Sequence, residues 1–198
     1  MAEESFVEAA TAYAALVAAI APDQWTEPGL GEWDLRALVG HTSRSLVTVE
    51  TYLGQPATTE DLISPAAYLA AVAAVDPASV ADRGRAAGAA LGDDPAAVVR
   101  TLVDRVLPLV AGDHDPLITT LLGGMRLRQY IPTRTFELVV HGLDIARAAG
   151  LPAPDFSTRL LTEVLELTAA AAVLGGRGRE VLLALTGRAA LPPGFSVV

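Results

Sequence analysis

The chain has 198 residues, a formal charge of -9, a 52% share of hydrophobic residues and no cysteine. That length suits one domain around one sizeable core, and the acidity argues against nucleic acid or an anionic membrane surface as the main partner. The lack of cysteine excludes a disulfide framework, thiolate metal ligands and a cysteine nucleophile, so any thiol chemistry must take its sulfur from a ligand.

Alanine, leucine and valine dominate and aromatic residues are few, a mixture that favours helices packed on helices and hence an all-α fold. The opening M-A-E-E-S is acidic where a signal peptide is basic, and the apolar stretch over 9–21 is short and amphipathic. A soluble, cytoplasmic protein is therefore expected. Over 5–20, Phe6, Ala9, Ala10, Tyr13, Leu16, Val17 and Ile20 recur at helical spacing, with Ser5 and Glu8 placed as a capping box. The Pro- and Gly-containing stretch 21–33 reads as a loop pinned to the core by Trp25 and Trp33.

Asp34 caps a second predicted helix that runs to Leu53 and stops at Gly54, with Leu35, Leu38, Val39, Thr42, Leu46 and Val49 as its inner stripe. His41 falls on that side, and an inward histidine needs an acceptor or a metal. Ser64-Pro65, Asp76-Pro77 and Asp94-Pro95 each pair a capping residue with proline at a first helical position, which predicts helices over 65–75, 77–91 and 95–111. The last has a stripe of Val98, Leu102, Val106 and Leu109.

Over 117–131 the pattern L-I-T-T-L-L, Gly123-Gly124, M-R-L-R-Q-Y-I predicts a small β-hairpin, with Arg126, Arg128 and Tyr130 on one face of its second arm. Next comes a helix over 133–149, with Pro132 in its first turn, Gly150 at its C-terminal cap, and Phe136, Val139, Val140 and Leu143 inward. Glu137 and His141 stand four residues apart on one face of it, so both side chains reach one point. An acid and a base held near a buried face ask for a third partner, and a divalent metal is the simplest. With His41 from the second helix they make two nitrogens, one carboxylate and an open fourth position, the ligand count of catalytic rather than structural zinc.

Asp144, three residues after His141, is a candidate acceptor for its other ring nitrogen. His114 lies in a loop and is expected to be exposed, and Thr133 and Thr135 read as helix-start residues. Arg126, Arg128 and Arg134 are candidate anchors for a carboxylated substrate or a thiol, since guanidinium binds carboxylate bidentately. After Gly150, Asp155 caps an apolar helix over 156–174, followed by a Gly-Arg loop without the spacing or lysine of a phosphate-binding loop. A short segment over 180–185 and a loosely held tail close the chain. No Gly-x-Ser-x-Gly elbow marks a serine hydrolase, and no linker divides the chain into two domains.

E-W-D-L-R-A-L-V-G-H around His41 and R-T-F-E-L-V-V-H-G-L-D-I-A-R-A around Glu137 and His141 resemble the mycothiol-dependent maleylpyruvate isomerase family, within the DinB-like group of metal-binding helical bundles. The closing A-L-T-G-R is similar to that family's C-terminal end. The resemblance implies one domain over 1–198, a four-helix bundle with additional short helices, and His41, Glu137 and His141 as metal ligands. It also implies mycothiol or another low-molecular-weight thiol as cofactor, and isomerisation or thiol transfer on a small electrophile. The family's substrate site draws on a longer C-terminal segment than follows Leu174 here, which leaves the substrate open.

The ligand set accepts zinc, nickel, iron or manganese, with zinc expected. Two further readings stay open: a metal-activated hydrolase, in which the open position holds water, and a non-catalytic metal-binding protein. The expected partners are a small-molecule substrate and a thiol, with no nucleic acid and no membrane, and the protein is a monomer or a homodimer.

Overall fold

The computed structural model describes residues 2–72 and 74–197. Position 73, inside the helix expected over 65–75, and Val198, at the end of the expected tail, lie outside the described residues. Among the described residues the elements are, in chain order, α1 (Ala2–Ala18), α2 (Leu35–Leu53), α3 (Pro65–Val72), α4 (Pro77–Ala90), α5 (Pro95–Val110), β1 (Leu117–Thr120), β2 (Gly123–Arg126), α6 (Leu127–Ala148), α7 (Thr158–Leu174) and α8 (Gly178–Leu185).

Four helices make the bundle: α1 packs on α5 and α6, and α2 packs on the same two, closing a ring. The stripes explain why. Every residue of the α1 stripe is buried, and so is the whole predicted stripe of α2. Burial of this apolar surface supplies the main drive for folding. Tyr13 of α1 is buried with its hydroxyl donating to Val39 O of α2 at 2.7 Å and lying 2.8 Å from Ser43 Oγ, so the two buried hydroxyls that meet there are paired. α4 lies against α2, and α7 covers α3, α6 and α1.

The α2–α4 contact is close because both helices present glycine there. A Cβ on Gly40 would lie 2.1 Å from the backbone nitrogen of Gly88, and one on Gly84 would lie 2.7 Å from the ring of Trp33. Gly40 precedes His41, so this approach fixes the backbone at a candidate ligand.

Several expectations are corrected. Ser5 is inside α1 with its buried hydroxyl unpartnered, and Glu8 instead caps a distant helix by accepting from Ser157 N at 2.6 Å and Ser157 Oγ at 2.7 Å. The N-cap of α7 is accordingly Ser157 rather than Asp155. The buried face of α5 is Val99, Leu102, Val103, Val106 and Val110, leaving Val98 exposed, because α1 and α2 together set which side is covered.

The hairpin is shorter than expected, and its turn is Leu121-Leu122 rather than the glycine pair, since Thr120 pairs with Gly123 and Leu117 with Arg126. Thr120 Oγ1 closes that turn, donating to Gly123 O and accepting from Leu122 N. Gly124 serves packing: a Cβ there would lie 1.9 Å from Thr59 O.

Arg128 and Tyr130 are helical, not part of a strand, because α6 begins six residues ahead of the expected start. Its first turn is capped from outside. Leu127 N donates to Pro116 O at 3.0 Å and Arg128 N to Asp115 Oδ1 at 2.8 Å, so the loop before the hairpin satisfies donors that every helix start leaves open. Pro132 therefore sits inside α6 and costs Arg128 O its intrahelical donor. Thr133 and Thr135 are mid-helix, their hydroxyls donating back to Tyr130 O and Ile131 O. Leu143 is 42% exposed, because the side of α6 that packs inward centres on Leu138, Gly142 and Ile145.

Candidate metal centre

α2 contributes His41, and α6 contributes Glu137 and His141 one turn apart. The ligand atoms these residues offer lie within 4.8 Å of one another. Glu137 Oε2 is the shared point, 3.2 Å from His141 Nε2 and 3.7 Å from His41 Nε2. The two imidazoles meet edge to face with ring centroids 4.9 Å apart. Trp33 packs on His41 with ring centroids 4.5 Å apart and is held there by Nε1 donating to Ala81 O of α4 at 3.0 Å. The tryptophan expected as a simple core anchor thus backs a candidate ligand.

Charge settles unevenly within the trio. Burial lowers His41 below the ordinary histidine value, and this outweighs the opposing hydrogen bond to Glu137. Burial acts to raise Glu137, but hydrogen bonds from His141 and His41 and the nearby Arg134 charge hold it far below the usual carboxylate range. Burial acts to lower His141, yet the flanking Asp144 and Glu137 raise it to about 9. Asp144 Oδ2 lies 3.2 Å from His141 Nδ1, and Arg147 Nη2 donates to Asp144 Oδ1 at 2.8 Å. Asp144 is thus the outer partner of a carboxylate–histidine pair whose inner nitrogen faces Glu137.

The donor set fits a metal. Two imidazoles and a carboxylate converge on one point in a largely buried place, and His41 Nδ1 is buried without a partner, which leaves Nε2 as the nitrogen facing the other two groups. Two imidazoles and a carboxylate are a donor set that divalent metals accept.

The trio lines one wall of a cavity of about 980 Å³. α2 adds Arg44, Ser45, Thr48 and Tyr52 to that cavity, α3 adds Tyr68, α4 adds Arg83, and α6 adds Tyr130 and Arg134. Tyr130 is fully buried and its hydroxyl donates to Thr48 Oγ1 at 2.8 Å. Residues 194, 196 and 197 also line the cavity, and Arg177 stacks on Phe195 and donates to Ser196 O. The tail expected to be loosely held is a cavity wall.

Of the three arginines singled out from the sequence, only Arg134 lines the cavity. Arg126 faces Glu60 at 3.8 Å, and Arg128 donates to Asp113 at 3.0 Å; both are on the surface. His114 is exposed, as expected. Arg44, Thr48, Tyr52 and Tyr68 were not anticipated. Arg44 and Thr48 were findable, standing three and seven residues after His41 on one helical face. Tyr68 carries no local signal, because α3 reaches the site only through the tertiary fold.

A family model described as the mycothiol maleylpyruvate isomerase N-terminal domain matches residues 6–146, a span that contains all three candidate ligands. No curated protein and no solved structure matches the chain. Among the described residues no helix is long and apolar enough to cross a membrane.

Proposed function

The chain belongs to the mycothiol maleylpyruvate isomerase N-terminal domain family, and from that membership we propose that it is a metal-dependent enzyme using an external low-molecular-weight thiol on a small electrophile. The observation that carries the reading is the His41, Glu137 and His141 trio on the wall of a large cavity in a protein without cysteine. A divalent metal, zinc by preference, supplies Lewis acidity there and favours the ionised form of an added thiol near neutral pH.

The chain's own residues do the remaining work. Glu137 enters as a carboxylate and His41 as a neutral imidazole, so both are ready to ligate at neutral pH. Asp144 fixes the ring of His141, and Trp33 packs against the ring of His41. Tyr52, Tyr68 and Tyr130 give the cavity an apolar lining that limits water around the reacting atoms. The reaction class is thiolate addition to a polarised double bond. A carbon–sulfur bond forms while the π pair moves onto the conjugated carbonyl; after rotation about the resulting single bond, return of that pair expels the thiolate and leaves the isomerised alkene. Protonation of the adduct instead makes the overall reaction a thiol transfer.

Cobalt substitution tests the reading. Addition of a small uncharged thiol to the cobalt protein is expected to produce a sulfur-to-metal charge-transfer band in the near ultraviolet, and its pH dependence is expected to report proton release. A cobalt protein that binds no thiol at any pH yet hydrolyses an activated ester would overturn the reading in favour of a metal-activated hydrolase.

A further inference from the structure

Arg134 is only 8% exposed, yet it makes no ion pair among the described residues. Its Nε donates to Thr133 Oγ1 at 3.0 Å, which uses one of its five donor hydrogens. The guanidinium carbon lies 4.8 Å from the ring centroid of Tyr130 and 5.4 Å from that of Tyr68, and those two rings meet near right angles at 5.5 Å. Both tyrosines are buried, so packing holds the plane of the guanidinium, and the nearby acid Glu137 acts on it through its charge without a hydrogen bond or ion pair between them. The aromatic faces offset part of the cost of burying the charge, while among the described residues no carboxylate accepts a hydrogen bond from the remaining N–H groups of this cavity-lining residue.

Among the described residues the arginines that pair with a carboxylate do so at the surface: Arg85, Arg105, Arg126, Arg128, Arg147 and Arg159. Among the described residues Arg134 is the one buried arginine, and no carboxylate pairs with it.

Its position gives the ligand a dimension. Arg134 precedes Glu137 by three residues on α6, so the two side chains share a face about 4.5 Å apart along the axis. Both line the same cavity.

We propose that Arg134, clamped between Tyr68 and Tyr130, is the receptor for a carboxylate of the ligand that reacts with the thiol, and that this carboxylate sits one helical turn from the His41, Glu137 and His141 position. Arg134 is then a specificity-determining residue. It selects short carboxylic acids whose reacting carbon is only a few bonds from the carboxyl carbon, and it leaves the thiol position free. The role assigned to the ligand rests on the thiol-dependent reading of the site; the anion site itself does not.

The test uses cobalt-loaded full-length protein. Uncharged 2-mercaptoethanol first reports the thiol position through the sulfur band, and propionate or propionamide is then titrated in, with binding read by calorimetry. Propionate is expected to bind about tenfold to a hundredfold more tightly than propionamide, the range for a charge-assisted hydrogen bond to a buried partner. The sulfur band is expected to persist. Arg134→Gln is expected to abolish the preference and keep the band, while Arg134→Lys retains only part of the preference because it lacks the planar fork.

Equal binding of acid and amide by the native protein overturns the proposal, and this comparison stands even where a variant fails to fold. A preference that survives Arg134→Gln overturns it too, since the carboxylate then binds the metal. Loss of the sulfur band on adding propionate puts both ligands in one place and has the same consequence. A missing band with 2-mercaptoethanol sinks the thiol reading alone, because the acid-against-amide preference and its loss in Arg134→Gln still decide the role of Arg134.

Discussion

Asp144 Oδ2 stands 3.2 Å from His141 Nδ1 while the opposite nitrogen of that ring stands 3.2 Å from Glu137 Oε2. The histidine is thus gripped at both ends by carboxylates on its own helix, one three residues after it and one four residues before. Asp144→Asn keeps the shape and removes the charge that orients the ring. Metal affinity is expected to fall by about tenfold to a hundredfold, the usual cost of losing such an outer partner, with the circular dichroism of the helices unchanged. Unaltered affinity in a chelator competition would reduce Asp144 to a surface partner of Arg147.

The trio itself makes the most direct prediction. His41→Ala, Glu137→Ala and His141→Ala are each expected to lower the metal content found by elemental analysis of tag-free protein while leaving helix content largely intact. Full occupancy in all three variants would place the metal elsewhere.

Proton bookkeeping predicts how metal uptake depends on pH. Glu137 is held low and His41 is lowered by burial, so at neutral pH only His141, raised to about 9, carries a proton that metal must displace. Apparent affinity should therefore climb by about tenfold per unit of pH until it levels near 9. The sign for stability follows from the same shift: in the metal-free protein the His141 pairs contribute fully below about pH 6.5 and lose that contribution as pH rises through about 9. The gain in melting temperature on adding metal should grow over the same interval. A flat affinity profile between about pH 7 and 9 would exclude His141 as a ligand.

Two glycine substitutions of the same chemical size should have opposite effects. Gly88→Ala puts a methyl 2.8 Å from Arg36 O and 2.9 Å from Ala37 Cα, forcing α4 away from α2; overpacking of this kind costs about 1–3 kcal/mol. Gly142→Ala, in the middle of α6 with nothing within 4 Å of the new Cβ, should be neutral or stabilising by up to about 1 kcal/mol. Urea denaturation separates them. A stable Gly88→Ala variant would show that the α2–α4 contact is soft and does not fix the backbone at His41.

Tyr13→Phe tests the bundle apart from the site. It removes the hydroxyl between Val39 O and Ser43 Oγ and leaves a buried serine oxygen short of a partner, a loss of about 1–3 kcal/mol with no change in metal content. A stability loss accompanied by metal loss would show that the hydrogen bonds between α1 and α2 carry through to the site.

What was legible in the sequence was whatever depends on near neighbours. The limits of α2 came from Asp34 and Gly54, whose side chain and backbone close that helix within a few residues. The starts of α3, α4 and α5 came from a capping residue followed by proline. The juxtaposition of Glu137 with His141 is a property of helical pitch alone, and His41 was recognisable as an inward histidine on an apolar stripe.

The tertiary structure decided what depends on remote groups. The start of α6 is set by Asp115 and Pro116, which satisfy its first N–H groups from across a hairpin, so no local cap announced it. Glu8 caps α7 across 149 residues of chain for the same reason. Arg134 is buried between Tyr68 and Tyr130 while Arg128 on the same helix is spent on a surface acid, a difference that turns on which side of α6 faces the cavity. Helical periodicity can place residues on one face, but only the packing of α2, α3 and α6 against one another determines which face encloses the space where a ligand fits.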